Sequence, residues 1–246
     1  MHSSFKLYAV IILLLALTIS SFAQTNNGLL AWYKFDASSG TSAVDNSGNN
    51  NTGTSSGAPG WVTGKYGNAL NFVAASSQYV ASPNLGNPQS VSIAAWVKSG
   101  AAGGVVFDEN GTATPNGAWH ETQIEIEASG IVWACVWIGS ISCVKATNSI
   151  GFNQWHYLAM TYNVANHTLS GYYDGKLGAS SVVTKQYVST GNLFYLLGTT
   201  DTTNNGNGNY FTGIIDEARI YNRALTATEI YELFEGGGQT HTSTYF

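Results

Sequence analysis

The chain has 246 residues, of which 44% are hydrophobic, 13% aromatic and only 9% charged, with a formal net charge of −5. An average soluble domain is roughly 25% charged, so this surface must be built from Ser, Thr, Asn, Gln and Gly. The aromatic content excludes an ordinary disordered chain, the shortage of Glu, Lys and Arg excludes a long amphipathic bundle, and the absence of a basic stripe argues against nucleic acid as a partner.

The N-terminus reads as a leader rather than as fold. Lys6 precedes an apolar run from Leu7 to Leu17, and Ser21-Phe22-Ala23 supplies small residues at the −3 and −1 positions of a cleavage site. The run is about 11 residues, within the range of a signal-peptide core and short of the roughly 20 that span a bilayer. The expectation is a signal peptide at 1–23, one domain at 24–236, a tail at 237–246, and no membrane span after cleavage. The alternative is an uncleaved anchor.

Strand signals then recur between turn residues. They cover Leu29–Phe35, Ala69–Phe72, Gln78–Ala81, Val91–Val97, Val105–Asp108, Thr122–Ala128, Ile131–Val136, Trp155–Asn163, Leu169–Asp174, Phe194–Leu197 and Ile214–Tyr221. In the fourth, Val91, Ile93, Ala95 and Val97 fall on one face and Ser92, Ala94, Trp96 and Lys98 on the other. Asp174-Gly175 is the strongest hairpin signal, because a type I′ turn needs φ > 0 at both central positions. One helix is expected: Thr226 with Glu229 three residues on forms a capping box. Ile230, Leu233 and Phe234 share one helical face, and Gly236 is placed to end it.

Cys135 and Cys143 flank Ile138-Gly139-Ser140. If that triplet is a hairpin loop, the two cysteines fall opposite each other on one face, within reach of a disulfide. An exported chain permits the bond; two free buried thiols are the alternative.

The order of these pieces resembles the laminin G-like, concanavalin A-like lectin/glucanase family. The matching segments are Leu30–Asp36, Asp45–Asn49, Gly64–Phe72, Ser92–Val97, Gln154–Tyr162, Tyr173-Asp174-Gly175 and Phe211–Leu225, running into the capped helix. The resemblance implies an all-β fold: a two-sheet antiparallel jelly-roll sandwich with one short C-terminal helix. It also implies a calcium ion between the early Asp-x-Ser-Gly-Asn loop and the late Ile-Asp-Glu strand. Carried over by position, Asp45 and Asp216 would be side-chain ligands and Asn51 a weaker one. Without the ion, Asp45 makes an Asx-turn and Asp216 hydrogen-bonds to the first strand.

Glu121, Gln123, Glu125 and Glu127 alternate with Thr122, Ile124 and Ile126, and an unbroken strand puts all four on one face. Laminarinase-type enzymes of the resembling superfamily work with carboxylates on one strand, in a Glu-x-Asp-x-x-Glu pattern. Here Glu125-Ile126-Glu127-Ala128-Ser129 lacks the middle Asp and the last Glu. Retaining and inverting hydrolysis need carboxyl groups roughly 5–9.5 Å apart, and residues two apart on a strand fall in that span. Trp119, His120 and Glu121 offer a stacking ring and hydrogen-bonding groups on a long polar loop, a place where function often sits. The expectation is a secreted, non-catalytic binding module for an extracellular glycan or a surface protein, with structural calcium. A glycoside hydrolase or lyase of the same fold and a purely structural or adhesive protein are the alternatives.

Overall fold

The computed structural model describes residues 26–101, 103–115, 120–186, 192–199 and 210–236. The leader at 1–23, Trp119 and the tail at 237–246 lie outside the described residues. Sixteen strands and one helix are described. They are β1 (Leu29–Tyr33), β2 (Ser42–Ala43), β3 (Gly53–Ser56), β4 (Gly60–Thr63), β5 (Asn68–Phe72), β6 (Tyr79–Ala81), β7 (Val91–Ser99) and β8 (Gly104–Asn110). There follow β9 (His120–Ile126), β10 (Val132–Trp137), β11 (Ile141–Lys145), β12 (Trp155–Asn163), β13 (Thr168–Tyr173), β14 (Lys176–Val182), β15 (Phe194–Leu197), β16 (Gly213–Tyr221) and α1 (Ala227–Phe234).

The strands form two antiparallel sheets, as expected. The first runs β14-β13-β12-β7-β16-β5-β4, with β1 also paired to β16; the second runs β11-β10-β9-β8-β15-β6-β3-β2. Between them lies the main core, which includes Tyr33, Phe72, Ile93, Val97, Phe107, Ile124, Met160, Tyr162, Tyr195 and Phe211, all buried. Sheets packed face to face over interdigitated inner side chains are the sandwich solution to burying two apolar faces.

Strand β7 shows how the alternation is used twice. Val91, Ile93, Ala95 and Val97 enter the main core. Ala94 and Trp96 point the other way and are also buried, because α1 lies over that face with Ile230, Leu233 and Phe234. The helix is capped as the sequence predicts: Thr226 Oγ1 accepts from the Glu229 amide at 3.2 Å, and Glu229 Oε2 accepts from the Thr226 amide at 2.8 Å. Its seating is completed by Arg223 Nη2, 2.6 Å from Glu229 Oε1.

The hairpin reading of the cysteines also holds. Trp137 pairs with Ile141 across the 138–140 loop, and Cys135 pairs with Cys143, closing a disulfide with an S–S distance of 2.04 Å. Val132, Ala134, Val136 and Val144 face the core, so alternation puts the disulfide on the outer face of the second sheet.

Candidate functional site

The second sheet carries polar groups on both faces, and the two faces treat them differently. On the inner face, Glu109 of β8 pairs with Glu121 of β9 and with Tyr195 of β15. Lys185 enters from the segment after β14; its Nζ is 2.7 Å from Glu109 Oε2 and 3.0 Å from Glu121 Oε1. Gln123 donates its side-chain amide to Glu109, and the Lys185 backbone amide donates to the Tyr162 hydroxyl at 3.0 Å. All of these side chains are buried. Burial pushes the Glu121 carboxyl up to about 8, with Glu109 adding to the rise and Lys185 opposing it. Burial alone would lower Lys185, but the two carboxylates outweigh it and hold the ammonium protonated.

This arrangement corrects the expected acidic stripe. Phe107 pairs with Ile124 and the next residue, Asp108, pairs with Thr122, so β9 spends an extra residue at Gln123. A bulge of this kind breaks the two-residue period. Glu121 therefore turns inward to Lys185 instead of sharing a face with Glu125, which sits opposite Trp133. Glu127 lies beyond the strand and accepts the Ser129 hydroxyl at 2.8 Å. Of the Trp119, His120 and Glu121 trio, Glu121 thus has its carboxylate inside the protein, and residue 120 pairs with Asn110 at the end of β8.

The three residues carried over for calcium are held by other partners. Asp45 Oδ1 accepts from the amides of Trp32 and Ser47, at 2.9 and 2.8 Å; Oδ2 accepts from the Ser47 hydroxyl and the Asn51 amide, at 2.7 and 2.8 Å. Burial alone would raise this carboxyl, but those four donors together hold it below its ordinary value. The Asn51 side chain donates to the Leu30 carbonyl at 2.9 Å, and its own carbonyl accepts from Tyr33. Asp216 accepts from the Tyr66 amide at 2.9 Å. Its Oδ2 lies where a Cβ on Gly64 would be only 2.5 Å away, so glycine is required in that turn.

Asp216 Oδ1 is buried without a hydrogen-bond partner among the described residues, and burial raises the carboxyl to about 7. The adjoining Glu217 adopts φ 55° at a register shift and is spent on Trp32 Nε1 at 2.7 Å and Arg219 at 3.0 Å. Calcium wants six to eight inward-facing oxygens. N–H groups converging on Asp45 complement an anion, and one free oxygen on Asp216 is not a coordination shell. Among the described residues no group of three or more His, Cys, Asp or Glu side chains could hold a metal ion. As arranged, Asp45, Asn51 and Asp216 tie the early loop and the late strand into the fold by hydrogen bonds.

The outer face of the same sheet is accessible over β3 and β6, whereas Leu196, Asp108 and Asn110 on that face are buried. Across β3, β6 and β15, register places Thr54 beside Ala81 and Ala81 beside Leu196, with Ser56 beside Tyr79. There the surface dips into a groove of about 450 Å³, within the usual size range of small-molecule sites. Its lining is Thr52, Thr54, Ser55, Ser56, Tyr79, Ala81, Ser82, Pro83, Ala113 and Phe194. None of these is charged. Tyr79 and Phe194 are partly exposed, which leaves ring surface beside a row of hydroxyls. A second, smaller cleft of about 210 Å³ lies by β2 and β4, lined by Phe35, Asp36, Ala37, Ser42, Val44, Asn46 and Trp61.

Sequence reasoning missed these residues. Phe194 and Tyr79 fall inside or beside expected strands, but Gly53–Ser56 and Gly60–Thr63 carry no alternating apolar signal. The sole hint was composition: a chain with so few charges must present hydroxyls and amides to solvent.

A family profile described as the concanavalin A-like lectin/glucanases superfamily, of laminin G type, matches residues 73–231. The chain belongs to this family. No curated protein matches the sequence. Among solved structures, the chain is similar to domain 4 of AbnA, a GH43 extracellular arabinanase from Geobacillus stearothermophilus, in complex with arabinotriose. The TM-score is 0.62 at 23% identity, covering 83% of this chain and 97% of that one. It is also similar to a botulinum neurotoxin type C structure whose cell entry is described as dependent on two ganglioside molecules. There the TM-score is 0.64 at 18% identity, covering 89% of this chain and 53% of that one. The binding domain of Paraclostridial Mosquitocidal Protein 1 gives 0.63 at 16%, covering 86% and 53%. The chain thus spans about half of each toxin chain. At these identities the likeness is one of fold.

Proposed function

We propose that this protein is a non-catalytic, extracellular carbohydrate-binding module whose ligand lies in the groove on the outer face of the second sheet. The observation that carries the reading is the groove's chemistry: Thr54, Ser56 and neighbouring hydroxyls beside the rings of Tyr79 and Phe194, with no charged side chain in the lining among the described residues. Sugar rings present a polar rim and an apolar face, and such a wall meets both. Catalysis of glycoside cleavage needs a positioned acid and base. The groove has neither, and the Glu109 and Glu121 carboxylates are buried against Lys185. The fold neighbours support the reading in kind, since one is a complex with arabinotriose and another is a neurotoxin whose cell entry depends on gangliosides. The disulfide and the leader-like N-terminus support an extracellular setting. Among the described residues no helix is long and apolar enough to cross a membrane.

The test is a glycan array on the protein, followed by titration of the strongest binder against Tyr79→Ala and Phe194→Ala. Both substitutions are expected to weaken binding at least tenfold while the melting temperature moves little, and no polysaccharide should release reducing ends. Binding that neither substitution affects would remove the groove from the account.

A further inference from the structure

The groove and the smaller cleft meet at one strand edge. Ser42 lines the cleft and Thr54 lines the groove, and the two are register partners across β2 and β3. Partners in an antiparallel pair point to the same face, with Cβ atoms about 4.5–5.5 Å apart. Both side chains are exposed. From Phe194 on β15 across β6 and β3 to β2 is three strand spacings, about 14 Å. Trp61, from β4 at the edge of the first sheet, lines the same cleft as Ser42; it is partly exposed and its Nε1 donates to the Gly40 carbonyl at 3.2 Å. Val44, which is 53% exposed, also lines this cleft.

Charge narrows the ligand. Among the described residues no cation lines either pocket, and the cleft carries one acid, Asp36. The described cations are placed elsewhere. Lys34, Lys65 and Lys145 lie over the rings of Trp32, Trp96 and Trp133. Lys185, Arg219 and Arg223 are paired with Glu109 and Glu121, with Glu217 and with Glu229. Lys98 and Lys176 belong to strands of the first sheet. Recognition of carboxylate, sulfate or phosphate groups relies on Arg or Lys.

Resting on the glycan-binding reading, we propose that groove and cleft form one extended site for a linear, uncharged oligosaccharide, with Phe194 and Trp61 as stacking surfaces towards its two ends. A single sugar ring would fill one pocket; a chain of several rings crosses the Ser42–Thr54 seam and occupies both.

The experiment is calorimetric titration with neutral arabino-, xylo- and gluco-oligosaccharides of two to six units, and with oligogalacturonides of the same lengths as the charged arm. At least one neutral series should gain tenfold or more in affinity between two and six units, and the galacturonides should bind at least tenfold more weakly at each length. Trp61→Ala should flatten that gain, bringing six-unit affinity down to that of two units. Asn46→Ala, at an exposed position in the cleft, should reduce it by a smaller factor without a change in melting temperature. Length-independent affinity, galacturonides binding as well as neutral chains, or six-unit affinity unchanged in both variants would each overturn the extended site while leaving the groove itself standing. If no oligosaccharide binds the native protein, the glycan-binding reading falls with it.

Discussion

Strands β8, β9 and β15 present two polar surfaces that behave oppositely. Inward, Glu109, Glu121, Gln123 and Lys185 are buried and tied to one another beside the buried Tyr195. Outward, β15 lends the groove a partly exposed Phe194 and the neighbouring strands lend hydroxyls. The Glu109–Glu121–Lys185 cluster faces inward, Asp108 and Glu125 lie on the other side, and the described lining of the groove is uncharged. On the proposed reading, charge alone would point to the wrong face: Glu121 is buried against Lys185, and the proposed recognition surface is built from neutral groups.

The strongest way to break this contrast is to remove the inner cation. Lys185→Met leaves the buried carboxyl groups of Glu109 and Glu121 without their cation, and losing one partner of a buried ion pair costs about 3–5 kcal/mol. Urea unfolding should show that loss. A change below about 1 kcal/mol would mean the cluster is wet and not the locked interior described. The disulfide on the outer face should matter less. Eight residues separate Cys135 from Cys143, and closing so short a loop is worth about 2.5 kcal/mol on the chain-entropy account. The Cys135→Ser, Cys143→Ser double variant should unfold earlier by that amount in non-reducing buffer, with ligand affinity retained.

The smallest effect is a slope. Burial first, and Glu109 second, raise Glu121 from 4.5 to about 8 against the pull of Lys185. Between these two values the folded protein holds a proton that the unfolded chain has released, so stability falls as pH rises through the window. One such group sets a slope of at most about 1.4 kcal/mol per pH unit. Glu121→Gln should make the fall shallower without abolishing it, because Asp216, raised to about 7, acts in the same direction. An unchanged slope would place the titration elsewhere.

Much of the fold was legible because its signals are local. The alternation of β7, the Thr226–Glu229 box and the spacing of Cys135 and Cys143 each depend on residues within one element or hairpin. Strands β2, β3 and β4 were not legible: Gly53-Thr54-Ser55-Ser56 has small polar side chains and is held by pairing with β6 rather than by an apolar period. The bulge at Gln123 has no sequence mark, so the acidic alternation looked like one face. Lys185 is 64 residues beyond Glu121 in sequence and meets it through the sandwich. The groove combines β3, β6 and β15, which lie far apart in the chain and become neighbours in the sheet.

The central claim is that the outer face binds and the inner face only supports. The most direct measurement is titration of the best neutral oligosaccharide into the native protein, Phe194→Ala and Glu121→Gln, with melting temperatures recorded alongside. The account predicts at least a tenfold loss for Phe194→Ala and native affinity for Glu121→Gln. Native affinity in Phe194→Ala, or loss confined to Glu121→Gln, would contradict it.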